Sequence, residues 1–453
     1  MKDKQIEKLI KAEKARQKKV INLIASENYV SEDVLKALGS EFTNKYAEGY
    51  PGKRYYGGNE NSDKLEELAK ERALELFNLS PNEWSVNVQP LSGSPANVAV
   101  YLALVPPGGK IMGMDLASGG HLTHGHKVSI SGKMWTQVPY GVDKESGLIN
   151  YEEVKQKAIA EKPAIIVAGF TAYSRVIDFK KFREIADSCG AIDFPQYSAE
   201  NGKGVGETGV FPWGKAVSEA SVENREVLKS KLRSTILMVD MSHFAGLVAG
   251  GVYPSPFEYA DIVTTTTHKT LRGPRSAIIF SRKDPPNMIG RAGTRELDKK
   301  IDKAVFPGMQ GGPHLNQIAA VAVALKEAKS PAFKKYAAQV IKNAKVLAEE
   351  LAKLGWKIIS GGTDSHLVLI DVWNGGNPST SSGRPLTGRE ASEKLESAGI
   401  IVNKNTIPFD SRSPMDPSGI RIGTAAETTR GKKEKNFKKI AVQIDKILKG
   451  TSN

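Results

Sequence analysis

Lys269 lies in the stretch Val263 to Arg275, VTTTTHKTLRGPR, just past a run of apolar and β-branched residues. An ammonium held among Thr264, Thr265, Thr266, Thr267 and His268 on a tight Gly-Pro turn loses its proton more readily than a solvated lysine and can then attack an aldehyde. That is Schiff-base chemistry, with Lys269 as the carbonyl-capturing amine and Thr266 counted beside it among the candidate catalytic residues. Standing alone, a lysine in a polar turn is more often a phosphate-binding or solvent-facing group, so the assignment depends on its company.

Asp240 ends the run TILMVD and can lie beside Lys269 across neighbouring strands. His243, three residues on in DMSH, can hydrogen-bond a ligand oxygen. The segment LSGSPAN, Leu91 to Asn97, precedes a helical run, and its small residues expose backbone N–H groups that suit a phosphate, with Ser92, Gly93 and Ser94 as the candidates. The cluster GGHLTHGH supplies His121, His124 and His126. A zinc or iron site needs further Cys or carboxylate ligands at set spacings, and beyond Asp115 the region has none, so no metal is assigned. His121 is read instead as a flat ring that stacks on an aromatic ligand. A Schiff-base lysine, a carboxylate for a ring nitrogen, a phosphate cradle and a stacking histidine are together the parts that pyridoxal phosphate requires.

A mostly parallel sheet covered by helices would bring these residues together, because functional groups gather past the carboxyl ends of such strands. Candidate strands are Lys110 to Met114, Ala164 to Gly169, Ile236 to Asp240, Asp261 to Thr264 and Ser276 to Phe280. Amphipathic stretches between them include Ser62 to Phe77, with Ser62 as its cap, and Phe179 to Ser188. From about Leu315 the pattern changes to long helices, Asn316 to Lys329 and Ala332 to Leu354. Short strand-like runs follow at Lys357 to Ser360, His366 to Asp371, Ile400 to Asn403 and Gly419 to Ile422. The expected organisation is a helical arm over 1–40, a large α/β domain over 41–314 and a small α+β domain over 315–453. Asn374 to Pro385 reads as a loop.

The 453 residues carry a net charge of +14, from 64 Lys and Arg against 50 Asp and Glu, with 40% hydrophobic and 25% charged content. That is ordinary for a soluble globular protein and excludes fibrous and disordered classes. The basic excess favours anionic ligands, but it is spread along the chain rather than gathered in one tail, so no nucleic-acid partner is expected. One cysteine, Cys189, cannot form an internal disulfide, which fits a reducing cytoplasm. No apolar run has the length of a membrane span, and the charged N-terminus has no apolar signal region.

Ordered motifs then narrow the chemistry. NLIASENYVS from Asn22, NKYAEGYPGKRYYGG from Asn44, GGHLTHG, VDMSH, VTTTTHKTLRGPR, FPGMQGGP from Phe306, SGGTDSH from Ser360 and SGIRIGT from Ser418 resemble the serine hydroxymethyltransferase family, from about Asn22 to the C-terminus. The resemblance implies a fold-type-I pyridoxal phosphate enzyme, aspartate-aminotransferase-like, with a mostly parallel seven-stranded sheet. It implies the interconversion of serine plus tetrahydrofolate with glycine plus 5,10-methylenetetrahydrofolate, by a homodimer or tetramer with shared active sites. By that resemblance Lys269 forms the Schiff base, Asp240 meets the pyridine nitrogen, His121 stacks on the ring and His243 binds the phenolic oxygen. Ser92, Gly93 and Ser94 hold the phosphate, Ser174 lies near the cofactor, and Tyr46, Gly311 and Gly312 reach the phosphate from the neighbouring subunit. Arg421, helped by Ser26, holds the substrate carboxylate, a task that suits a bidentate guanidinium. Glu48 handles protons at the serine hydroxyl and the folate, a role for a partly buried carboxyl of raised pKa, with Tyr56 lining the same site. Asn405 contacts the folate.

One stretch departs from the family pattern. Positions 192–235 read as an added 44-residue segment entering a strand at its amino end, away from the catalytic edge, with a helix expected over Ser218 to Leu232 and with Phe211, Trp213 and Val227 as its apolar residues. Two rival functions stay open at this stage. One is a folate-independent, threonine-aldolase-like enzyme, against which Glu48, Tyr56 and Asn405 argue; the other is a non-catalytic binding protein, for RNA for example, which the net charge alone permits.

Overall fold

The structure is a computed structural model that describes residues 1–190, 235–283, 296–374 and 384–450. The expected helix over 218–232 and its apolar residues lie outside the described residues, as does most of the 374–385 loop.

A seven-stranded sheet forms the centre, in the order Trp84–Asn87, Ala277–Arg282, Ile262–Thr266, Ile236–Asp240, Ile165–Gly169, Lys110–Met114, Thr136–Tyr140. The last five of these run parallel, and Ala277–Arg282 is antiparallel to both of its neighbours. Alternate side chains show why the central strands read as unbroken apolar runs. Ile236 and Met238 pack on one face, in a core with the Gly93–Leu104 helix and Ile301, while Leu237 and Val239 pack on the other with Phe182 and Phe244. Both faces are covered, so no position of these strands is left for a solvated residue.

The two edge strands were not apparent in the sequence. Thr136–Tyr140 carries Pro139, which a sheet admits at its margin, where one side needs no ladder hydrogen bond. Trp84–Asn87 is a four-residue strand with little apolar content beyond Trp84 and Val86. The helix expected to open at a Ser62 cap begins at Glu60, preceded by Asn59, and Ser62 is buried. Asn59 makes no side-chain cap hydrogen bond; its amide donates instead to the carbonyls of Tyr46 and Tyr56.

A second, antiparallel sheet has the order Lys357–Ile358, Leu367–Asp371, Gly419–Gly423, Asn403–Asn405. Its core gathers Leu347, Leu351, Phe437, Ile440 and Ile444 from the helices Pro331–Lys353 and Glu434–Lys449. The Leu315–Ala328 helix contributes Leu315, Ile318, Val321 and Leu325 to the core of the large sheet. The changeover between the two cores falls inside Pro331–Lys353, between Val340 and Leu347. Near the N-terminus, Asp3 caps the Lys4–Lys19 helix, none of whose residues is buried. The chain then pairs Ile21–Asn22 in parallel with Ile400–Ile401 and sinks Leu23 into the second core. This brings the ASEN segment against the strand that carries Arg421.

Candidate functional site

Asp240 and Thr266 are the last residues of adjacent parallel strands, and the turn after Thr266 carries Lys269. Thr267 and Gly273 close that turn: the Gly273 amide donates to the Thr267 carbonyl, and the Thr267 hydroxyl to the Pro274 carbonyl. Asn28 ties it to the N-terminal segment by donating to the Lys269 carbonyl at 2.9 Å. Lys269 is 9% exposed, and its Nζ donates to Thr266 Oγ1 at 2.9 Å. Burial pulls its pKa from 10.5 down to about 8; Asp240 resists the shift, and Arg421 and Arg275 add to it. That drop corresponds to a penalty of about 3 kcal/mol on the charged amine, enough to put a useful free-base fraction near neutral pH.

Asp240 stays ionised although buried. Its Oδ2 accepts from Asn97 Nδ2 at 2.9 Å and from His124 Nε2 at 3.1 Å, and its Oδ1 accepts from the Ser242 amide at 3.1 Å. Burial works to raise the carboxyl, but its interactions with His124 first, then with His121 and the Ser242 amide, outweigh it and hold the pKa below the usual carboxylate range. His124 Nδ1 accepts the His121 amide at 3.2 Å, which fixes the Nε2–H tautomer that donates to Asp240. Asn97 also donates to Thr123 and accepts from Thr264 Oγ1. Neither His124 nor Asn97 stood out as an Asp240 partner in the sequence, since each lies more than a hundred residues from it in the chain.

His121 is half-buried, and its Nδ1 meets the Thr123 hydroxyl at 2.7 Å and the Thr123 amide at 3.2 Å. Burial lowers its pKa to about 4, so the ring is neutral near pH 7. His243 is fully buried and held well below its ordinary pKa by burial and by the charges of Lys269 and Arg421. The adjoining His268 is lowered to about 3 by burial, and its buried Nδ1 has no hydrogen-bond partner among the described residues.

Ser92 precedes the Gly93–Leu104 helix in extended conformation and makes no side-chain cap hydrogen bond. Among the described residues no side-chain cap takes the first-turn amides of Gly93 and Ser94, which suits an anion. Glycine is needed here, since a Cβ at Gly93 would stand 2.7 Å from Thr266 Cγ2. Arg421, on the second sheet, donates from Nε to Asn403 Oδ1 at 3.0 Å and from Nη1 to the Thr171 carbonyl at 2.7 Å, bridging the two sheets. Burial lowers its pKa to about 10, which leaves it cationic at neutral pH. Ser26 is half-buried on the turn after Ala25, whose Cα a Cβ on Gly423 would approach to 2.5 Å.

Two further expected residues make hydrogen bonds within the chain. Ser174 spends its hydroxyl on the Ser360 hydroxyl and the Gly362 carbonyl, at 2.9 and 3.0 Å, joining the large sheet to the SGGTDSH loop. Asn405 donates to its neighbour, the Thr406 carbonyl, at 2.6 Å, and the asparagine that orients Arg421 is Asn403.

A second cluster forms around Glu48. Tyr46 donates to Glu48 Oε1 at 3.1 Å and packs edge-on against Tyr56, with ring centroids 5.1 Å apart. Gly311 and Gly312 lie against the pair: a Cβ on Gly311 would come 3.2 Å from Glu48 Oε1, and one on Gly312 would touch the Tyr46 ring at 3.6 Å. Glu48 is half-buried, whereas Tyr46 and Tyr56 are 55% and 51% exposed. Arg54, whose role no local sequence signal marks, fixes this loop. It donates to the carbonyls of Ala47 and Gly49 on either side of Glu48 and pairs with Asp63 and the fully buried Glu66. Among the described residues no hydrogen bond joins this cluster to Lys269 or Asp240.

The arrangement suits a phosphorylated aromatic aldehyde. It offers a depressed-pKa amine, a buried ionised carboxylate, neutral imidazoles, free helix amides and a buried guanidinium. Among the described residues no group of three or more His, Cys, Asp or Glu is placed to hold a metal ion, and no helix is long and apolar enough to cross a membrane.

Comparison with known proteins gives the same direction. A family model for serine hydroxymethyltransferase matches residues 1–202 and 223–444. The chain is 48% identical to a serine hydroxymethyltransferase of Desulfotalea psychrophila over 446 residues, 98% of this chain and 88% of that one. It is 49% identical to one of Koribacter versatilis over 447 residues, 99% and 89% of the two chains. The family match leaves 203–222 and 445–453 unaligned, and the internal gap is shorter than the 192–235 segment set apart in the sequence.

Proposed function

The chain belongs to the serine hydroxymethyltransferase family, and on that premise we propose how its residues share the interconversion of serine plus tetrahydrofolate with glycine plus 5,10-methylenetetrahydrofolate. The enzyme uses pyridoxal phosphate, with tetrahydrofolate as co-substrate. When bound, the cofactor supplies an aldehyde for the amine and a pyridine ring that withdraws electrons from the substrate α-carbon.

In this proposal Lys269 is the amine that anchors the cofactor, and Thr266 Oγ1 accepts a hydrogen bond from its Nζ. Asp240 holds a proton on the pyridine nitrogen, a role supported by its burial and its three donors. His121 lies against the ring and His243 meets the phenolic oxygen. Ser92, Gly93 and Ser94 hold the phosphate at the helix N-terminus. Arg421, kept in place by Asn403 and Thr171, takes the substrate carboxylate with Ser26 nearby. Glu48 moves the proton at the serine hydroxyl and the folate nitrogen, with Tyr56 beside it and Asn405 on the folate side.

The exposure of Tyr46 and Tyr56 supports a further part of the proposal. The Glu48 cluster, with Gly311 and Gly312, completes the Lys269 site of a neighbouring subunit in a homodimer or tetramer. We also place the enzyme in the cytoplasm, in keeping with the single buried free thiol of Cys189.

The observation that carries the reading is the buried Lys269 amine within the electrostatic reach of a buried, ionised Asp240. Serine turnover measured with and without tetrahydrofolate tests it. Turnover that depends on the folate and vanishes in Lys269→Ala is expected. Equal turnover without folate would instead assign a threonine-aldolase-like activity.

A further inference from the structure

His366 closes the SGGTDSH loop and opens the Leu367–Asp371 strand, and it is fully buried. Its Nε2 stands 3.1 Å from the Ala25 carbonyl oxygen and 3.2 Å from His243 Nδ1. The two rings meet edge to edge, with centroids 5.4 Å apart and planes 25° from parallel.

A carbonyl oxygen only accepts, so Nε2 of a neutral His366 carries that ring's proton. A nitrogen that bears its proton in the ring plane has no lone pair left to receive another. The facing Nδ1 of His243 must therefore be the unprotonated nitrogen, because two N–H groups would otherwise confront each other across 3.2 Å. His243 is then left with its proton on Nε2. A doubly protonated His366 is disfavoured as well. Its buried Nδ1 has no hydrogen-bond partner among the described residues, and a proton there would be buried without an acceptor. Lys269 and Arg421 add positive charge near both rings and oppose a second proton on either.

We propose that His366 is a positioning residue that fixes His243 in its Nε2–H tautomer, so that His243 meets an anionic oxygen of the ligand as a hydrogen-bond donor. The inference rests on the reading that His243 faces the cofactor's phenolic oxygen. It also gives the Ala25 carbonyl a function: the backbone next to Ser26 orients His366, which orients His243. A change in the ASEN segment would thus reach the cofactor without touching it.

Nitrogen-15 NMR of the full chain, selectively labelled at histidine and free of cofactor, reads the tautomers directly. Both His243 and His366 should show the Nε2–H pattern near neutral pH. A His243 that carries its proton on Nδ1 overturns the proposal while leaving the cofactor reading intact. His366→Leu removes the donor and should leave His243 as a mixture of tautomers. It should also weaken pyridoxal phosphate binding by about tenfold and shift the pH midpoint of the bound cofactor's visible spectrum. His366→Gln, whose amide can donate to the same partners, should restore affinity to within about threefold of wild type. Unchanged affinity and spectrum in a folded His366→Leu protein overturn the proposal by showing that His366 does not set the hydrogen bond that His243 offers the cofactor. The wild-type tautomer measurement decides the first point even if that variant does not fold.

Discussion

Nε2 of His124 lies 3.1 Å from Oδ2 of Asp240, and the other nitrogen of the same ring accepts the His121 amide. The histidine thus links the carboxylate to the loop carrying the ring proposed to stack on the cofactor. His124→Leu removes one of three donors to a buried anion and should raise the dissociation constant for pyridoxal phosphate by about tenfold, the scale of a hydrogen bond to a charged group. His124→Gln, which keeps a donor, should lose less. Absorbance titration of the cofactor-free protein measures both.

The depressed pKa of Lys269 has two consequences of known sign. The rate at which cofactor-free protein captures pyridoxal phosphate should rise with pH through a midpoint of about 8, not 10.5, because the free amine is the nucleophile. Stability follows the same window. Between about pH 8 and 10.5 the unfolded chain holds a proton on this lysine that the folded chain does not, so the cofactor-free protein gains stability from this group as pH rises. Below pH 8 the penalty is fully present. Lys269→Met should lack that rise when denaturant midpoints are compared across the window.

Arg54 pairs with Glu66 in a buried setting and holds the carbonyls on both sides of Glu48. Glu66→Gln leaves a buried guanidinium short of charge and should destabilise the protein by about 3 kcal/mol. Arg54→Lys keeps the charge, but its single ammonium cannot reach two carbonyls and two carboxylates together. It should lower kcat by about a hundredfold, the scale of a misplaced catalytic group. Melting temperature and steady-state kinetics separate the two effects.

If Glu48 serves the Lys269 of a neighbouring subunit, two inactive variants should rescue each other. Lys269→Ala and Glu48→Gln chains, mixed and allowed to exchange subunits, should recover about a quarter of wild-type activity, because half the dimers are mixed and each has one intact site. No recovery after proven exchange would place Glu48 and Lys269 in the same chain's site.

Much of this arrangement was legible in the sequence where local signals were strong. The strands Lys110–Met114 and Ile236–Asp240 and the helix Phe179–Ser188 match their expected ranges because apolar runs or a clear amphipathic period bounded them. Asp240 was conspicuous as a polar residue ending a buried strand, and Lys269 drew meaning from the company of Asp240, the LSGSPAN segment and His121. The roles of His124, Asn97, His366, Asn403 and Arg54 were not, since each depends on which strand or loop becomes its neighbour. His366, for example, meets His243 across 123 residues of chain. The contacts of Ser174 were hidden for the same reason: its hydroxyl meets a loop from the other sheet.

The most direct measurement is to reduce the cofactor-loaded enzyme with borohydride and map the peptide that keeps the pyridoxyl group. The account predicts a covalent label on Lys269 alone, lost in Lys269→Ala. A label on another lysine, or full labelling in that variant, would contradict it.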